Sequence, residues 1–247
     1  MAALAATTAS TASARAAEGR MPHAQADAAQ AATAAGLGYR SLSDEREHML
    51  HATVIRRARV RAAPEADAAT VGRLKTRTFF GTAELALVLG TTTADGGRWS
   101  YVRYPGLGQR TGWVPSRVLG PPASVNTLLV IDRRRTVVRL FKHGRVVFRA
   151  PVGVGARQSP TPAGRYYVRE RVVPPSSDSI YGVLAFGLSA YSRFRTDWPG
   201  GGQVGLHGTN EPDLIPGHIS NGCIRLKNRA VARLDRLMPI GTPVRIV

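Results

Sequence analysis

The stretch TLLVIDRRRTVVRLFKHGRVVFRAPVG, residues 127–153, holds three apolar runs separated by two short charged segments. Val, Ile, Leu and Phe dominate each run, as in strands bounded by turn residues. The separators Asp132-Arg133-Arg134-Arg135 and Lys142-His143-Gly144-Arg145 have the length of tight turns. Three strands joined by two such turns make a β-meander. Downstream, a Pro/Gly-rich loop (SPTPAG, 159–164) leads into a further strand, YYVRERVV (166–173). Near the end, Asn228 is placed to cap a short helix, RAVARLDRLM, in which Val231, Leu234 and Met238 fall at helical spacing. Pro239 and Gly241 stop that helix, and TPVRIV closes the domain as a strand.

Upstream of the meander, PPASVN (121–126) reads as a linker stiffened by Pro121 and Pro122. Residues 51–120 carry short runs of Val, Thr, Trp and Tyr broken by Gly and Pro, which predicts a small barrel of strands. Residues 1–50 open on an Ala/Thr/Ser-rich segment and read as flexible or as an export segment. That segment lacks a positive n-region and a sustained apolar h-region, although Ala14-Arg15-Ala16 has the small-x-small pattern of a cleavage site. The expected class is therefore mainly β, with a catalytic-sized unit over 127–247 and a smaller one over 51–120.

The formal charge of +18 is uneven: residues 1–50 sum to −1, 51–120 to +7 and 121–247 to +12. Basic character therefore belongs to the parts expected to fold, which suits a polyanionic environment. Of the 34 basic residues 31 are Arg, and they are scattered rather than interleaved with aromatics, so no nucleic-acid partner is expected. No apolar run approaches the roughly 20 residues of a membrane span. One cysteine in 247 residues excludes an internal disulfide framework and a Cys-based metal cluster.

That cysteine lies in HISNGCIRLKN, residues 218–228. Taken singly, Cys223 is an ordinary small core side chain, His207 an ordinary structural histidine and Arg225 one arginine among many. Their combination points elsewhere. Ser220-Asn221-Gly222-Cys223 forms a tight turn whose amides at 221, 222 and 223 can converge on an oxyanion. In a strand running 223–226, Cys223 and Arg225 share one face while Ile224 and Leu226 enter the core. A guanidinium beside the thiol favours the thiolate and offers a fork for a carboxylate. His207, followed by Gly208, lies sixteen residues upstream and is the candidate base. His218, five residues from Cys223 and not followed by Gly, is the weaker alternative.

LHGTN, a gap and then SNGCIRLKN resembles the signature of the L,D-transpeptidase catalytic domain family. The resemblance continues through the meander, the PVGVG strand end and the SPTPAG loop, and covers residues 127–247. Asn221 stands where many members carry His. Residues 51–120, with VRAAP at one end and GWV at the other, resemble a bacterial SH3-like module. These resemblances imply an SH3-like barrel followed by a transpeptidase-type β-sandwich. They imply Cys223 as nucleophile, His207 as base and the Gly208 carbonyl as the group that fixes its tautomer. Arg225, Asn221, Gly222, Ser220 and Tyr191 would meet the substrate, with Ser220 stabilising the turn, and Tyr191 and Trp198 lie in a stretch that could form a flap. The implied substrates are peptidoglycan stem peptides, with anionic wall polymers as further partners. The protein is expected to be a monomer, to need no metal or cofactor, and to work in the periplasm, cell wall or outside the cell.

Overall fold

A computed structural model describes residues 38–247, except residues 109, 195 and 197–199. Eight strands precede residue 126: β1 (Arg40–Ser41), β2 (Met49–Thr53), β3 (Ala58–Arg61), β4 (Thr70–Leu74), β5 (Leu85–Ala94), β6 (Gly97–Tyr104), β7 (Arg110–Pro115) and β8 (Ala123–Val125). They form one sheet in the order β4-β3-β7-β6-β5-β2-β8, with β1 paired to β5. Ten more follow: β9 (Thr127–Asp132), β10 (Val137–Lys142), β11 (Arg145–Pro151), β12 (Gly153–Gly155), β13 (Gly164–Val172), β14 (Ala185–Tyr191), β15 (Gln203–His207), β16 (Gly217–Ser220), β17 (Ile224–Arg225) and β18 (Pro243–Ile246). Their order is β11-β10-β9-β18-β13-β14-β15-β17-β12-β16. One α-helix is present among the described residues, α1 (Asn228–Asp235). The protein is mainly β, as its sequence leads one to expect, and no helix among the described residues is long and apolar enough to cross a membrane.

Alternation explains the meander. Leu129 and Ile131 on β9 and Val138 and Leu140 on β10 are all fully buried. They face one another in register, Leu140 opposite Leu129 and Val138 opposite Ile131, so a single face of the hairpin enters the core. Phe186, Leu188, Leu206, Ile224 and Leu226 complete that core, and Val231 and Leu234 of α1 cover it.

Three expectations need correction. Residues 40–41 and 49–50, expected to be flexible, are strand residues on either side of the Asp44 turn, whose carboxylate accepts the amides of Arg46, Glu47 and His48. The Ala-rich segment up to residue 37 lies outside the described residues. Within the expected linker, β8 pairs with β2, Val125 opposite Met49, so the connection is part of the first sheet. Finally, Asn228 does not cap α1: it is the first helical residue, after the cap Lys227. Its carboxamide oxygen accepts the amides of Thr209 at 3.0 Å and Val183 at 3.4 Å instead.

The two sheets share a polar and apolar seam. Tyr167 of β13 is fully buried among Leu85, Leu87, Trp99 and Trp113 of the first sheet, and its hydroxyl donates to the Leu85 carbonyl at 2.6 Å. Beside it, Arg169 grips Glu84 with two nitrogens: Nε donates to Oε1 at 2.7 Å and Nη2 to Oε2. Both side chains are almost wholly buried. Glu45 makes a second bridge, accepting from Arg103 of the first sheet at 2.6 Å and Arg165 of the second at 3.0 Å. Removing one partner of a buried ion pair strands the other charge. Glu84→Ala is therefore expected to lower unfolding stability by about 3–5 kcal/mol in denaturant titration, while Glu84→Met/Arg169→Leu costs clearly less.

Candidate active site

His207 ends β15, which pairs antiparallel with β14 (Gly187 opposite Gly205) and parallel with β17 (His207 opposite Arg225). Leu206 and Ile224 on these strands are fully buried, so the strand alternation turns His207 and Cys223 to a common side. Gly205 locates the pair: a Cβ built on it would lie 3.4 Å from His207 Cδ2 and 3.7 Å from Cys223 Sγ. The Gly205 amide donates to Sγ at 3.4 Å. His207 is 3% exposed, and its ring stands edge-on to Tyr181 with centroids 5.1 Å apart. Its Nδ1 meets the Gly208 carbonyl at 2.6 Å. A carbonyl only accepts, so Nδ1 carries the proton and Nε2 is the basic nitrogen.

Burial dominates the electrostatics of both groups. It drives the imidazole down to about 4, against the Gly208 hydrogen bond and helped by the Arg225 charge. Burial also pushes the Cys223 thiol above its ordinary value, although the Gly205 amide and Arg225 pull it down. The resting pair is therefore a neutral thiol and a neutral imidazole rather than a thiolate–imidazolium pair.

The turn that presents the sulfur is held from outside. Ser220 Oγ donates to the Cys223 carbonyl at 2.5 Å and accepts the Gly222 amide at 3.1 Å. Gly222 has φ +114°, a conformation that L side chains rarely adopt. Ser159 donates to the Asn221 carbonyl and Thr161 to the Gly222 carbonyl, each at 2.9 Å. Thr161 Oγ1 also accepts the Gly155 amide at 2.8 Å. At Gly155 a Cβ would sit 2.4 Å from the Ser159 carbonyl oxygen and the Thr161 amide nitrogen, so only glycine lets this loop close on β12. The Ser220 carbonyl accepts the Ala156 amide at 2.8 Å, so every carbonyl of the turn is tied back.

Cys223, His207, Arg225, Asn221, Gly222 and Ser220 all line one pocket of mixed character, together with Ile180, Val204, Ser192 and Gln203. Cys223 and His207 also line a second pocket of about 200 Å³, walled by Phe80, Val172, Pro174, Pro175, Ala185 and Phe186. The sulfur thus sits where a groove of mixed character meets a more apolar one. Arg225 donates from Nη1 to Glu211 at 2.8 Å, while its buried Nε has no partner.

Some expected residues are elsewhere. Tyr191 lines neither pocket, and its hydroxyl accepts from Arg169 at 3.0 Å. His218 lies on β16 with Nδ1 against the Gly155 carbonyl at 3.4 Å and lines neither pocket. Trp198 is outside the described residues. The Gly222 amide, expected in the oxyanion nest, is committed to Ser220. Conversely, Thr161, Ser159, Asn228, Tyr181 and Gln203 shape the site without having been read from sequence as doing so. Their partners are up to 62 residues away, beyond the range of any local pattern. No group of three or more His, Cys, Asp and Glu side chains able to hold a metal ion lies together among the described residues.

Thr161→Val keeps the shape but leaves the Gly155 amide and the Gly222 carbonyl unpaired. It is expected to destabilise the protein by about 2 kcal/mol in denaturant titration. Because the thiol is neutral at rest, iodoacetamide alkylation of Cys223 is expected to rise steadily with pH through the alkaline range. His207 loses its proton near pH 4, so no inflection is expected between pH 5 and 8. A plateau across that interval would instead signal a preformed ion pair.

Residues 126–246 match the family model described as the L,D-transpeptidase catalytic domain, YkuD. YkuD of Bacillus licheniformis is 30% identical over 125 residues, 51% of this chain and 68% of that protein. YqjB of Bacillus subtilis is 27% identical over 135 residues, 51% of this chain and 73% of its own length. Among solved structures, the catalytic domain of an E. faecium L,D-transpeptidase is 23% identical, covers 49% of this chain and 96% of its own, and has a TM-score of 0.36. Bdellovibrio bacteriovorus Bd1075 is 25% identical with a TM-score of 0.40, and this chain spans about half of it, 47%. The thiol, the histidine and the turn that joins them lie inside the matched segment: this chain belongs to the L,D-transpeptidase family.

Proposed function

We propose that the protein is a peptidoglycan L,D-transpeptidase that forms 3→3 cross-links through an acyl-enzyme on Cys223. The observation that carries this reading is the placement of Cys223 Sγ against Gly205 beside His207, at the meeting of the two grooves. In the donor, a tetrapeptide stem, the scissile amide joins a diamino acid to the terminal D-Ala. Sγ attacks its carbonyl carbon while His207 Nε2 takes the thiol proton. The oxyanion falls to the amides of Asn221 and Cys223. The C–N bond then breaks, Nε2 returns the proton to the leaving amine, and a thioester remains. An amine from a neighbouring stem attacks the thioester, gives its proton to Nε2 and releases the thiol. Water in place of the amine gives a trimmed tripeptide.

A neutral resting pair suits this sequence, because the proton moves only as the new bond forms. Arg225, positioned in the mixed groove, is the group to receive the terminal carboxylate of the donor. Residues 51–120 are read as an SH3-like unit that meets wall polymers, with its charge of +7 attracting anionic ones. The working place is then the periplasm, the cell wall or the cell exterior.

Incubation with a defined disaccharide-tetrapeptide and mass analysis of the products tests the reading. A dimer short of one D-Ala is expected from the intact protein and none from Cys223→Ala, whose fold should be unchanged. Dimer formation by that variant would remove Cys223 from the mechanism. A carbapenem is expected to add covalently, with an intact-mass shift that disappears in Cys223→Ala.

A further inference from the structure

The apolar groove at Cys223 is not built by the transpeptidase domain alone. One of its walls comes from the first sheet, in the segment between β4 and β5. There Arg77 and Ala83 form an isolated antiparallel bridge, the Thr78 amide donates to the Thr82 carbonyl at 2.9 Å, and Arg77 Nη1 donates to the Gly81 carbonyl at 2.7 Å. These bonds make a closed loop with two aromatic rings at its tip, Phe79 and Phe80, packed edge to face at 5.1 Å. Both rings are exposed, Phe79 by 66% and Phe80 by 48%. Phe80 alone of the two faces the groove, opposite Val172, Pro174 and Pro175.

The loop is anchored to the site by a chain of buried hydrogen bonds. Thr82 Oγ1 donates to Glu170 Oε2 at 3.0 Å, across the seam between the sheets. Glu170 Oε1 accepts Gln203 Nε2 at 2.9 Å, and Nε2 also donates to the Leu188 carbonyl at 3.0 Å. Both partners of that nitrogen are acceptors, which fixes the amide orientation and sends Oε1 the other way. Gln203 is 7% exposed and lines both pockets, and its Oε1 has no partner. The chain of bonds thus holds Gln203 rigidly between the loop and the two pockets.

We propose that the 77–83 loop is a wall of the donor groove, and that Phe80 is a specificity-determining residue which holds the apolar part of the acyl-donor stem against Cys223. The proposal rests on the function above, which also fixes the direction of the donor. With the terminal carboxylate at Arg225 in the mixed groove, the acyl side of the scissile bond extends into the more apolar one. The matching ligand is an extended peptide with aliphatic side-chain surface.

Steady-state turnover of disaccharide-tetrapeptide by the full chain tests the proposal, with Phe80→Ala, Phe80→Leu and Phe79→Ala compared. Phe80→Ala is expected to raise KM about tenfold with little change in kcat, Phe80→Leu to restore most of the loss, and Phe79→Ala to behave as the parent. Iodoacetamide, too small to need the groove, should alkylate Cys223 equally fast in all of them. An unchanged KM in Phe80→Ala overturns the proposal. So does a parallel fall in kcat and alkylation rate, since the loop would then act only through the fold. Calorimetric binding of the same muropeptide to Cys223→Ala, with and without Phe80→Ala, reads the groove without turnover. A Kd about tenfold weaker in the double variant supports the proposal, and equal binding or no binding overturns it. Parent protein that binds but makes no product would count against the transpeptidase reading alone.

Discussion

The buried grip of Arg169 on Glu84 is the constraint on which the arrangement of the molecule depends. Glu84 immediately precedes β5 in the first sheet, and Arg169 lies on β13 in the second. Two charges leave water there only because each satisfies the other with paired hydrogen bonds, reinforced by the Tyr191 hydroxyl and the Leu85 amide. Hydrophobic packing could bring two sheets together at many angles, but a two-point ion pair admits few. β13 is followed in the sheet by β14, then by β15 with His207, then by β17 beside Cys223. The position of the first sheet is thereby referred through three strands to His207 and Cys223, and Glu170, next to Arg169, continues the link to Gln203.

At the site, low polarity and fixed dipoles act in opposition. Burial disfavours both charged forms, so the resting enzyme keeps its thiol and imidazole neutral. The same burial strengthens any dipole aimed at charge that develops during attack. Ser159 and Thr161 hold the turn carbonyls by bonds made on folding, so the shape of the turn is set in advance.

The meander, the closing strand and the Cys turn were legible in the sequence because each is a local pattern: apolar runs, a helical spacing, a Gly before a Cys. What failed was non-local. Tyr191 lies near the motif in sequence, but its hydroxyl turns to Arg169. Asn228 has the composition of a cap, yet two distant amides compete successfully for its oxygen. Residues 38–50 took their reading from an Ala-rich neighbourhood, whereas Ser43 Oγ donates to the Val88 carbonyl 45 residues away. Phe80 offered no signal at all, since an aromatic in a turn gives no hint of the groove it will border.

The place of β18 has a bearing on how the molecule is made. It lies far along the sequence from β9, yet it sits in the interior of the second sheet, parallel to β9 on one side and antiparallel to β13 on the other. Until residues 243–246 have left the ribosome, the meander β9–β11 and the strands that carry His207 have no shared edge. Before that point only two unfinished half-sheets with open hydrogen-bonding edges can exist. The second sheet is then joined in a single closing step made by four residues.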